Sequence, residues 1–186
     1  MTAQPHYIGS TDRAGFAMVH WPDSAVRGAA IICPPLAYEQ VCAYRTLRIL
    51  AERLAGLGIA TLRIDYDGTG NSFGRADDPA RVAAWRTSIL AAISEARSFG
   101  FETVTLIGVR FGGTLAADVA TRANGIDGVV LWDPIESGRR YARTLRLMSA
   151  TGDATAAAPV VAVAGIVFTD ETLTDIAASR FDATAL

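Results

Sequence analysis

Histidine and cysteine are scarce in this chain, two of each, and lysine is absent, so all 17 cationic side chains are arginine. With no export signal ahead of them, Cys33 and Cys42 suit reduced thiols better than a disulfide. These cysteines and the histidines His6 and His20 are too few and too scattered for the usual metal-ligand spacings, and neither a metal nor a nucleotide cofactor is expected. Charge of one sign is also lacking: the formal net charge is -2 and no block of like charge occurs, which argues against a nucleic-acid partner. No apolar run approaches the roughly 20 residues of a membrane helix. The first residues, Met1 to His6, have neither the basic nor the apolar segment of a secretory signal, so a cytoplasmic address is expected.

What is present is apolar sequence in short pieces. A length of 186 residues with 51% hydrophobic and 19% charged side chains supports one well-cored domain over residues 1–186. Short β-branched runs alternate with longer helical patterns, the mark of a mostly parallel sheet covered on both faces, a three-layer α/β/α sandwich. Strands are expected at Gly15 to His20, Ala29 to Cys33, Ala60 to Ile64, Thr103 to Ile107, Gly128 to Trp132 and Val160 to Ile166. Tyr44 to Leu57 has helical spacing and closes at Gly58. Pro79 to Phe99 starts with Asp78 as N-cap and Pro79 in the first turn. Further helices are expected at Gly112 to Ala123 and Glu171 to Ser179, and Ser149 to Ala158 reads as a loop or the remnant of an inserted cap. The arginines at 139, 140, 143 and 146 form a basic helix face of the kind usually left in solvent.

The segment Gly108-Val109-Arg110-Phe111-Gly112 carries the chemistry of the question. Its glycines permit a sharp strand-to-helix turn of the G-x-S-x-G kind, but the central residue is Arg110. A guanidinium stays protonated and cannot attack a carbonyl. Upstream stand Cys33-Pro34-Pro35 after a strand, a helix, and then Leu62-Arg63-Ile64-Asp65-Tyr66-Asp67-Gly68-Thr69-Gly70-Asn71-Ser72. With the elbow, this succession over roughly residues 29–135 resembles the α/β-hydrolase family, in particular the serine aminopeptidase-like branch and its exosortase-associated hydrolase-like proteins.

The resemblance implies a triad running Ser, Asp or Glu, His along the chain. Both histidines precede the elbow, and the family's last two strands, with the acid and base on the loops after them, have no counterpart before Leu186. A truncated hydrolase scaffold that does not catalyse is therefore expected. It also implies an oxyanion hole from the amide of Phe111 and, since Pro34 and Pro35 have no N–H, from Leu36 or Ala37. Together with Arg110 and the helix start at Gly112, these amides suit a carboxylate, phosphate or thioester oxygen. Arg110 equally suits a structural ion pair with Asp133, Glu39 or Asp67.

Two functions stay open. One is a non-catalytic protein that binds an anionic or acyl small molecule, or serves as an accessory subunit in a biosynthetic assembly. The other is an active esterase, thioesterase or acyltransferase using Asp133, Cys33 or a partner subunit. The Gly68-Thr69-Gly70-Asn71-Ser72 turn lacks the P-loop lysine and is expected to lie over the pocket, with Ser72 in support. A sheet that ends early leaves an apolar edge near Val160 to Ile166, so a homodimer or a partner protein is expected to cover it, unless the chain is a fragment of a longer or split gene product.

Overall fold

The structure, a computed structural model, describes residues 2–150, 161–181 and 184. Its centre is a six-stranded sheet of β1 (Thr2–Ile8), β2 (Gly15–Trp21), β3 (Gly28–Cys33), β4 (Ile59–Asp65), β5 (Val104–Val109) and β6 (Ile126–Trp132), ordered β1-β2-β4-β3-β5-β6. The four strands from β4 to β6 run parallel, while β1 and β2 are antiparallel additions at one side. On β3, Ala29, Ile31 and Cys33 enter one core and Ala30 and Ile32 the other. Burial on both faces is why the parallel strands read as continuous apolar runs.

One helix, α1 (Ala37–Gly56), covers one face through Leu47 and Ala51. The opposite face carries α2 (Arg81–Ser98) and α3 (Phe111–Ala120), which bring Trp85, Ile89, Phe111 and Leu115 into the larger core. Beyond them, α4 (Gly138–Ala150) and α5 (Asp170–Ala178) pack on each other and add Tyr141, Leu145, Leu173 and Ile176. The three-layer, mostly parallel arrangement expected from the sequence is therefore present. Among the described residues no helix is long and apolar enough to cross a membrane.

Four local differences have physical causes. Strand β1 has no sequence signal because six of its seven residues are exposed or half-buried and Pro5 interrupts it; backbone pairing to β2 holds it. Helix α1 starts seven residues before Tyr44, since its first turns leave Tyr38 and Val41 exposed and so lack an apolar stripe. Asp78 does not cap α2: its carboxylate accepts from Arg13 at 2.6 Å and from the Arg75 amide at 3.0 Å, and Ala80 (φ 55°) sets the helix start at Arg81.

The fourth concerns the edge. Residues 161–168 form a separate hairpin of β7 (Val161–Val163) and β8 (Ile166–Phe168), joined through Ala164 and Gly165, and do not extend the sheet. Edge strand β6 packs chiefly on β5 and α3, with Val130 and Trp132 more than half exposed. Of the expected loop from Ser149 to Ala158, Ser149 and Ala150 end α4 and the remainder lies outside the described residues.

The turn after β4 is held by an ion-pair cluster. Asp67 lies under Arg13, whose Nε and Nη2 donate to it at 2.5 and 2.8 Å, and it also pairs with the buried Arg81. Burial alone would raise the Asp67 carboxyl, but hydrogen bonds and charge from Arg13 and Arg81 outweigh it and hold the group below the ordinary carboxylate range. Such a depressed group stabilises the fold above its unfolded value of about 3.9 and loses that contribution as pH falls through the lower folded value. Wild type is expected to lose denaturation midpoint below about pH 4 more steeply than Asp67→Asn, which is less stable at pH 7; urea melts across pH check this. At the elbow, a Cβ on Gly108 would sit 2.5 Å from the Gly113 Cα, and one on Gly112 would collide with the carbonyl oxygens of Cys33 and Pro34. Gly112→Ala is expected to destabilise by about 1–3 kcal/mol in the same melts.

Candidate functional site

Strand β5 ends at Val109 and α3 begins at Phe111, leaving Arg110 alone at the bend with φ 55° and ψ -124°. This is a backbone conformation that a non-glycine residue holds only when its surroundings impose it. The Arg110 amide donates to the Trp132 carbonyl at 3.0 Å, and its own carbonyl accepts from the amides of Gly113 at 2.9 Å and Ile135 at 3.3 Å. Both main-chain groups of the strained residue are thus satisfied, and they tie the elbow to β6 and α3.

The side chain is equally engaged. Arg110 Nε donates to Glu39 Oε1 at 2.8 Å, and Nη1 donates to Asp133 Oδ2 at 2.6 Å and to the Asp133 carbonyl at 3.3 Å. Burial works against the guanidinium's charge, but Glu39 first and then Asp133 more than compensate and raise its pKa. The second Glu39 oxygen accepts from the Tyr141 hydroxyl at 3.0 Å. Burial and the adjacent Glu39 push that phenol up, which keeps the proton on it. Tyr141 stacks on Phe111 with ring centroids 5.5 Å apart. Side chains from α1, the elbow, the β6 end and α4 therefore close one network.

Above the network opens a cavity of about 370 Å³. Leu36, Ile135, Leu145, Met148 and Val163 give it apolar walls, and its charged lining comprises the carboxylates of Glu39, Asp133 and Glu136 with the guanidiniums of Arg110 and Arg140. Ala37 (φ 52°) opens α1 and Phe111 opens α3 beside it. Of the two, Ala37 lines the cavity and Phe111 lies buried behind Arg110; as first-turn residues, neither has an acceptor for its amide within its own helix.

Of the residues singled out in the sequence, Arg110, Phe111, Gly112, Leu36, Ala37, Glu39 and Asp133 come together here, and of the acids proposed for Arg110 the structure selects Glu39 and Asp133. Asp67 does not join them; it belongs to Arg13 and Arg81. Ser72 braces the turn instead, donating to the Asp65 carbonyl at 2.7 Å and accepting from the Phe16 amide at 2.8 Å. Thr69, Gly70 and Asn71 of that turn line a different cavity, beside α1. Cys33 is fully buried, and burial drives its thiol far above the ordinary range, so it offers no thiolate to a substrate. His6 stands 3.7 Å from Glu95, and His20 is buried on β2 beneath Arg63, so neither reaches the elbow. Tyr141 is the member of the network that the sequence hides, because it sits inside a run of arginines with no motif of its own. Among the described residues no group of three His, Cys, Asp or Glu side chains is placed to hold a metal ion.

No family model and no curated protein matches the chain; its likeness is to solved structures. A putative hydrolase from Agrobacterium vitis S4 is 22% identical with a TM-score of 0.62, over 96% of this chain and 72% of its own. Est1E from Butyrivibrio proteoclasticus, in a structure with ferulic acid bound, is 23% identical with a TM-score of 0.73, over 94% and 71%. The proline iminopeptidase of Mycobacterium smegmatis is 21% identical with a TM-score of 0.59, over 81% and 50%. The chain thus spans from half to nearly three quarters of these neighbours' lengths. Identities this low speak to architecture alone, and the architecture they share with this chain is the α/β-hydrolase fold.

Proposed function

We propose that this is a non-catalytic hydrolase-fold protein that binds the carbonyl end of an acyl ester, thioester or amide in the cavity over the elbow. The observation that carries the reading is the double ion pair of Arg110 with Glu39 and Asp133. It fills the nucleophile's position with a charged group that cannot attack a carbonyl. Neither histidine of the chain is near enough to act as a base. The amide of Ala37, which lines the cavity, and that of Phe111 at the start of α3 are the first-turn donors that would meet a carbonyl oxygen, while the apolar walls suit an acyl chain. Three carboxylates against two guanidiniums make the cavity a poor host for a free anion, which is why a neutral acyl group replaces the anion suggested by Arg110 alone.

The bare edge of the sheet belongs to the same reading, and we propose that a second copy covers it by antiparallel pairing of β6 with β6 across a two-fold axis at Val129. That register sets Asp127 opposite the partner's Leu131 and Ile126 opposite the partner's Trp132, so no like charges face each other. It also brings the exposed Val130 and Trp132 of each copy into one apolar seam.

Titration with the N-acetylcysteamine thioester of octanoic acid tests the first proposal. Saturable binding without thioester cleavage is expected, with loss of binding in Thr144→Trp, which fills the cavity from α4. Hydrolysis of p-nitrophenyl butyrate is expected to stay at the buffer rate for wild type and for Arg110→Ser alike. Wild-type turnover that falls in Asp133→Asn would overturn the reading in favour of catalysis by Asp133. Light scattering is expected to give the mass of a dimer for wild type and of a monomer for Trp132→Lys, with melting of the monomer's fold still cooperative; a monomeric wild type refutes the edge pairing.

A further inference from the structure

A second cavity, of about 480 Å³, lies between the first half of α1 and the β2–β4 part of the sheet. Phe16 and Met18 of β2, Ile32 of β3, and Val41, Tyr44 and Leu47 of α1 give it an apolar and aromatic lining. The antiparallel register pairs Phe16 with Asp65 and Met18 with Arg63, and both charged residues also line the cavity. An arginine and a carboxyl group are thus set into a wall that is otherwise apolar.

Arg63 is held in place and yet incompletely used. Its Nε donates to His20 Nε2 at 3.1 Å, and its guanidinium carbon lies 5.1 Å over the centre of the Tyr44 ring. Burial, followed by the charge of Arg63, depresses the His20 pKa, so the imidazole stays neutral and able to accept that bond. The two terminal nitrogens of Arg63 have no protein acceptor among the described residues. They form the planar fork that matches a carboxylate. Asp65 Oδ2 accepts from the Asn71 amide at 2.9 Å. Burial pushes its carboxyl above the ordinary range against that hydrogen bond and the charge of Arg63.

We propose that this cavity binds an amphipathic monocarboxylic acid, its carboxylate on the free fork of Arg63 and its apolar body among Phe16, Met18, Ile32 and Leu47. A phosphate or other dianion fits less well, because one guanidinium faces it and Asp65 stands two residues away on the same strand. A cation is disfavoured by Arg63 itself. The proposal is independent of the acyl site at the elbow, since the two cavities share no lining residue.

Isothermal titration of the full chain with decanoate and, in parallel, with decanol tests it. Wild type is expected to bind decanoate saturably at one site and decanol at least tenfold more weakly. Val41→Trp should abolish decanoate binding; Val41 is 63% exposed at the mouth, so the larger ring blocks entry without repacking the core. Arg63→Met, which keeps the apolar stem, should weaken decanoate at least tenfold and leave decanol unchanged. Thr144→Trp, in the elbow cavity, should change neither. The proposal falls if wild type does not saturate with decanoate, if Arg63→Met binds decanoate as wild type does, or if Val41→Trp retains binding. Loss in Thr144→Trp with retention in Val41→Trp would place decanoate at the elbow, refuting this site while leaving the acyl-binding reading intact.

Discussion

The salt link of Arg110 to Glu39 and Asp133 is the constraint around which the carboxyl edge of this sheet is organised. It spans 71 residues to α1 and 23 to the end of β6, and Tyr141 extends it to α4. The backbone of Arg110 lies in a region that costs of order 1–3 kcal/mol to occupy. The conformation persists because its amide and carbonyl are both bonded and its side chain is held at both ends. Asp133, with φ 48°, occupies a similar left-handed bend one residue past β6. Two strained residues therefore face each other across one ion pair, each fixing the geometry of the other.

The glycines explain why such a bend can form here. Gly112 lets α3 begin against the end of β3, and Gly108 lets the first turn of α3 fold back on β5, at distances that a methyl group on either would forbid. That close approach sets the first turn of α3 beside the end of β3, just ahead of the start of α1. At the bend itself stands a guanidinium already neutralised by its neighbours.

How much of this was legible in the sequence follows from what kind of interaction builds each part. The central strands β3, β4 and β5 and the elbow were readable because burial on both faces forces continuous apolar runs and because close backbone approach requires glycine. Strand β1 was not, since main-chain pairing rather than side-chain burial holds Thr2–Ile8. The hairpin at residues 161–168 misled because an apolar run reports burial but not partners: Val163 and Phe168 enter the core, with β7 against α4, instead of joining the sheet. Arg110 with Glu39 and Asp133 was among the pairings the sequence allowed, whereas Asp67, the third acid it allowed, pairs with Arg13 and Arg81 instead, because separation along the chain says little about which acids meet once loops return over a sheet. The fold thus follows from periodicity, while the site's charge balance depends on contacts that no spacing encodes.

A double-mutant cycle joining Arg110→Met and Glu39→Gln, read by urea denaturation at pH 7, tests most directly whether the ion pair organises this edge. Both side chains are about two thirds or more buried, 32% and 27% exposed, so a coupling energy of about 1 kcal/mol is predicted, at the upper end for partly solvated pairs. A coupling indistinguishable from zero, or a stability gain in Arg110→Met alone, would contradict the account and leave the elbow to be held by its backbone hydrogen bonds and glycine packing.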